Sequence, residues 1–140
     1  MGSRRKGRIL AFQALYSWDA HNSGGTTIPD GLLDFSWGAQ TPDDDTAAFS
    51  RLLVTGTIEN IKAVDKIIEA HLDNWELKRL NRVDLAILRM SAYTLMFQKD
   101  ISPSIVIDEA VDISREFGTD DSYRFVNGVL DSVRKTIESK

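Results

Sequence analysis

Phe49, Leu52, Leu53, Ile58, Ile61, Val64, Ile67, Ile68 and Leu72 recur at helical spacing over 24 residues. That pattern predicts one long helix from about Asp45 to Leu72. A narrower stripe, Val126, Leu130, Val133 and Ile137, is spaced four, three and four apart and predicts a helix at the other end. Few stretches alternate as strands do, and only three prolines interrupt the chain. The expected class is therefore all-α.

The remaining helices follow from their punctuation. A first helix is expected from Ser3, as N-cap, to about Ala20. Its apolar residues Ile9, Leu10, Phe12, Leu15, Tyr16 and Trp18 wrap most of the circumference, so it should be buried beyond its first turns. The stretch from His21 to Asp45 carries Asn22-Ser23-Gly24-Gly25, Pro29 and Pro42, and reads as a connection with at most a short helix near Leu32–Trp37. Asn74 to Leu80 reads as a short helical turn. Asn81 caps the next helix, with Asp84 three residues on as a weak capping-box partner, and Lys99-Asp100 ends it. Pro103 suits the entry to a sixth helix that closes at Gly118, and Thr119-Asp120-Asp121-Ser122 offers several N-caps for the last. Gly56, inside the long helix, costs about 1 kcal/mol against alanine, which points to close packing there. A chain of 140 residues suits one domain, residues 1–140, with one core.

Composition removes several function classes. With no cysteine, disulfides and thiolate metal sites are excluded, and a reducing cytoplasm is the expected home. The two histidines, His21 and His71, form no HExxH pair, so neither a metal nor another cofactor is expected. No apolar run is long enough for a membrane span, and Gln13, Ser17 and Asp19 break any leader-like stretch, which predicts a mature cytosolic protein. No phosphate loop, GxSxG or Walker pattern occurs, so no enzyme is expected. Asp43-Asp44-Asp45 lacks the glycine and glutamate of a calcium loop and reads as a solvated helix start. Asp108, Glu109 and Asp112 read as a charged solvent face, and His71 as an edge-of-core histidine.

The net charge of −4 argues against nucleic acid only until its distribution is considered. Arg4, Arg5, Lys6 and Arg8 are four cations within five residues, while the acidic excess lies elsewhere. Screening confines each charge to roughly 8–10 Å, so a basic arm on an acidic body can still hold RNA. Arg4 and Arg8 share a helix face, and guanidiniums take phosphates bidentately. The competing reading is a frayed, solvated terminus. Tyr123-Arg124-Phe125 opens the last helix, with Phe125 about 100° off its apolar stripe. Phe125 there either stacks an unpaired base or packs on a neighbouring helix.

Several segments together resemble the NusB family. Arg4-Arg5-Lys6-Gly7-Arg8 leads into Ala11-Phe12-Gln13-Ala14-Leu15-Tyr16-Ser17-Trp18. Asn74-Trp75, Leu80, Val83 to Arg89 and Tyr93 resemble the middle signature. Val106-Ile107-Asp108-Glu109-Ala110-Val111 resembles a third segment, with Asp108 where asparagine is usual, a change expected to alter a local cap. Phe117-Gly118, Ser122 and Phe125 to Asp131 resemble the C-terminal signature. The resemblance implies about seven helices in two antiparallel helical subdomains sharing a core. It implies transcription antitermination through single-stranded boxA RNA of nascent ribosomal RNA, held together with NusE, a small-subunit ribosomal protein, in the RNA polymerase antitermination complex. Carried over by position, Arg4, Arg5, Arg8, Gln13, Arg89, Asp121 and Phe125 meet RNA, with Lys6 added from the basic cluster. Tyr16, Glu76, Arg79 and Asp84 fall on the NusE surface. A homodimer is a further partner that some relatives imply, and the Asn22–Asp45 connection, which matches no family pattern, bears on it. The rival readings are a relative of the RNA-binding domain of ribosomal-RNA cytosine methyltransferases and a structural helical dimer. Against the former, no methyl-donor loop and no cysteine nucleophile occur before Lys140.

Overall fold

The computed structural model describes residues 3–21, 25–73 and 76–139. The expected turn at Asn22-Ser23-Gly24 and the Asn74-Trp75 start of the short helical turn lie outside the described residues. Within them are six α-helices and no strand: α1 (Ser3–His21), α2 (Asp44–Glu59), α3 (Ile61–Glu69), α4 (Arg82–Phe97), α5 (Pro103–Phe117) and α6 (Ser122–Glu138). Two elements expected as short helices are single 3-10 turns, Leu32–Asp34 and Leu77–Arg79.

The organising element is α4. Every residue from Asp84 to Leu95 is buried, so this helix has no solvent face. It packs against α1, α2, α3, α5 and α6, and thereby joins the block led by α1–α2 to the α5–α6 pair through a shared core. Asn81 caps it as expected, its side chain accepting from Val83 N at 2.8 Å and Asp84 N at 3.3 Å. Its buried hydroxyl at Thr94 donates to the Met90 carbonyl at 3.0 Å. Ser114 and Thr57 satisfy themselves in the same way on α5 and α2.

The long helix predicted over Asp45–Leu72 is broken at Asn60. Asn60 donates both its backbone N–H and its side-chain amide to the Gly56 carbonyl, at 3.1 and 2.8 Å, which closes α2. The apolar spacing continues through the break because α3 still faces α4. Gly56 has the expected reason. A Cβ there would overlap the Tyr93 ring of α4. Gly7 plays the same part at the α1–α2 crossing, where a Cβ would lie 2.6 Å from Phe49 Cδ2 and where its carbonyl accepts from Ser50 Oγ at 2.8 Å. Gly118 departs from expectation. It closes α5 with φ −94°, not in the left-handed region, and is required because Ser122 occupies the space of a Cβ.

Candidate nucleic-acid interface

The basic cluster is not a frayed tail. It forms the first turns of α1, held by α2 on one side and α5 on the other. Arg5 Nε donates to Glu109 Oε2 at 2.8 Å, and its Nη2 reaches both Glu109 and Asp112, the latter at 2.7 Å. Arg8 Nη1 donates to Glu109 Oε1 at 3.1 Å. The acidic group expected as a solvent face is therefore partly a clamp, with only Asp108 turned to water. Spacing explains the fit: Arg5 and Arg8 are three apart on α1, as Glu109 and Asp112 are on α5, so each pair shares one helix face. Hydrogen bonds donated to Asp112 and then to Glu109 raise the pKa of the Arg5 guanidinium above its ordinary value. Burial lowers that of Arg8, against the pull of Glu109. Arg4 and Lys6 stay exposed. Arg4 lies over the Phe49 ring at 4.3 Å from its centroid.

Arg89 stands apart from the other RNA candidates. It is buried in the middle of α4, and its Nε and Nη2 meet Asp65 of α3 at 2.8 and 3.0 Å. Its Nη1 reaches Asp19 of α1 at 3.3 Å, and its guanidinium lies 5.7 Å from the centre of the Trp18 ring. These contacts make it a tie between three helices, turned inwards.

The other candidates lie on α1, around Arg79 to Asp84, and at the start of α6. Gln13 and Tyr16 line a shallow site with Phe12, Val83 and Phe117, in which the Phe12 and Phe117 rings are 5.1 Å apart. Lys6 and Gln13 also border a larger cleft of about 510 Å³ beneath Gly38–Asp43. Lys6 and Gln13, seven residues apart, share one face of α1 about 10 Å apart along its axis, while Arg4 lies on another face, in the cleft with Arg8 and Phe49. Asp121, before α6, is exposed and makes no capping bond with its side chain. Phe125 is half-buried against the core, between its two expected positions, and shares a cleft of about 230 Å³ with Arg79, Leu80, Asn81 and Asp84. One RNA candidate thus meets two NusE candidates.

Among those partner-surface candidates, Tyr16, Glu76 and Arg79 are exposed and Asp84 is buried. Burial pushes the Asp84 carboxyl up, with the Ser122 hydroxyl opposing. A carboxyl raised on folding binds its proton more tightly in the native state. The stability that this proton contributes is present below the ordinary carboxylate range and lost as pH rises through the raised value. Asp84→Asn should therefore unfold at the same or higher denaturant concentration at neutral pH, with a flatter pH dependence over that interval. A less stable Asp84→Asn at neutral pH would mean that the ionised form is the one the fold uses.

The other sequence expectations have plain outcomes. Asp43 is the N-cap of α2 and accepts from Thr46 N at 2.8 Å, a bond that holds its carboxyl below the usual range. His71 sits at the core edge, bonded to Thr136 at 2.9 Å. Among the described residues no cluster of metal ligands occurs, and no helix is long and apolar enough to cross a membrane.

A helical scaffold that holds exposed cations on an ordered helix start, with an amide and a partly exposed aromatic further along that helix, has the make-up of a macromolecule-binding module. The NusB family model matches residues 5–135. The chain is 55% identical to the transcription antitermination protein NusB of Treponema denticola over 133 residues, 94% of this chain and 95% of that protein. T. maritima NusB superposes with a TM-score of 0.81 at 34% identity, covering 94% of this chain and 90% of that one. A structure of antitermination factors NusB and NusE in complex with dsRNA gives 0.85 at 28% identity, over 97% and 98% of the two chains. The chain belongs to the NusB family, whose members are transcription antitermination factors and not enzymes.

Proposed function

We propose that this chain acts, as one unit over residues 1–140 in the cytoplasm, by binding single-stranded boxA RNA of nascent ribosomal RNA together with NusE within the RNA polymerase antitermination complex. The observation that carries the reading is the ordered start of α1, where Arg4 and Lys6 are exposed beside arginines already fixed by Glu109 and Asp112. Exposed cations held on a rigid helix meet phosphates with little ordering cost. Gln13, Asp121 and Phe125 are the further RNA contacts in this reading, and Tyr16, Glu76 and Arg79 supply the exposed NusE contacts. Arg89 supports this surface from within. A homodimer through the same faces would compete with RNA.

The test is a gel-shift and a salt titration with boxA RNA, with and without NusE. NusE should tighten RNA by the factor by which RNA tightens NusE. Replacing Arg4 and Lys6 by alanine should weaken RNA binding and flatten the salt dependence by about 0.7 slope units per lost phosphate contact. Unchanged affinity and slope would remove the arm from the interface. The relative's complex holds double-stranded RNA, so a duplex of the same sequence is the required competitor. Tighter binding of the duplex would replace the single-strand reading.

A further inference from the structure

Two buried side-chain oxygens have no hydrogen-bond partner among the described residues, Asp84 Oδ1 and Gln98 Oε1. Such atoms in a native fold call for a reason. Gln98 follows the last residue of α4 and borders an open cleft of about 490 Å³ between the end of α4 and the start of α1. That volume lies within the ~300–1,000 Å³ usual for small-ligand sites. Two side chains in its wall are apolar yet open to water: Leu52 is 52% exposed and Phe97 49%. Tyr93 backs the Phe97 ring at 5.4 Å between centroids and fixes its orientation. Opposite stand Arg4 and Arg8 around the Phe49 ring. Arg8 is engaged by Glu109, while Arg4 is exposed and has no carboxylate partner among the described residues.

We propose that this cleft takes one unpaired nucleotide of the bound RNA, its base stacked on Phe97, an exocyclic amino group donating to Gln98 Oε1, and its phosphate on Arg4. The assignment rests on the RNA-binding reading above and adds a subsite on the Arg4 face at the start of α1. An aromatic face, an unused acceptor and an unpaired guanidinium are the three groups that a base, its N–H and its phosphate require. Gln98 is half-buried, and its terminal torsion is soft, so a rotation presents the oxygen to the cleft. An apolar protein surface would leave that oxygen unpaired and would strip water from Arg4. Asp100, also on the cleft wall, disfavours a second phosphate there and leaves the Arg4 side for the anion.

The experiment is an anisotropy titration of labelled single-stranded boxA RNA at several salt concentrations, using the full chain. Phe97→Ala should weaken binding roughly five- to 150-fold, the equivalent of the ~1–3 kcal/mol of one base–aromatic stack, with the salt slope unchanged. Phe97→Trp should restore affinity. Phe97→Leu keeps the contact with Tyr93 but removes the π face, so it should fold normally and still bind weakly. Parental affinity in Phe97→Leu and Phe97→Ala overturns the assignment while leaving RNA binding intact. A Phe97→Ala protein that only changes from dimer to monomer in sedimentation makes the face a contact between copies, and also overturns it. If the parent chain binds no RNA, the underlying reading fails and this assignment with it.

Discussion

Arg89→Ala is expected to cost about 3 kcal/mol of folding stability, the lower end of the ~3–5 kcal/mol for breaking a buried ion pair. Arg89 is 9% exposed and divides its donors between Asp65 and Asp19, so alanine leaves two carboxylates near the core without their main cation. Both carboxylates keep some access to water, and Asp19 retains Arg82 at 3.3 Å, which places the cost at the lower end. Contact with the Trp18 ring is lost as well. Urea unfolding of the variant should show the midpoint falling, with RNA affinity of the folded protein close to the parental value. Parental stability with lost RNA binding would show instead that Arg89 turns outward to meet a phosphate.

The second large effect is expected at Glu109. Its carboxylate accepts from Arg5 and Arg8 together, and Arg8 is buried with no other carboxylate partner among the described residues. Glu109→Gln keeps the shape but removes the charge, so the Arg8 guanidinium stays buried without a counter-ion. The stability loss should approach about 3 kcal/mol, less whatever the Phe49 ring face returns at 5.4 Å. The same change frees the Arg5 donors that Glu109 held, while Asp112 still accepts from Arg5. On the folded variant, the salt dependence of RNA binding should steepen by up to about 0.7 units if the freed Arg5 meets a phosphate. A flatter slope would show that Glu109 presents these arginines to RNA and does not compete for them.

Periodicity determined much of this protein directly. The stripe at Val126, Leu130, Val133 and Ile137, the Asn81 cap and the proline at the start of α5 are local rules, written within a few residues and obeyed in the structure. The motifs for the family were legible for the same reason, since each is a short run of residue types. The break at Asn60 was not, because apolar spacing persists through it and only the Gly56 carbonyl's use of the Asn60 amide ends the helix. Nor was Phe35, a fully buried residue at φ 56° inside a connection whose composition reads as loop. It is the packing of Trp37 and Arg51 around it that fixes this segment.

For the candidate interface the division has the same cause. The sequence by itself determined which residues carry charge or a ring: the cations of the first turns, the aromatics at Tyr16 and Phe125, the acids of the fifth helix. Which of these face solvent and which face each other depends on how the helices pack around α4, over separations of about a hundred residues. Arg5 and Glu109 are 104 positions apart, and no local pattern says that α1 and α5 meet. Only the tertiary structure decided that Arg8 and Arg89 are buried ties, that Asp84 is under the surface, and that Arg4 stays exposed on the Phe49 ring, because burial of a charge is set by what lies on its other side.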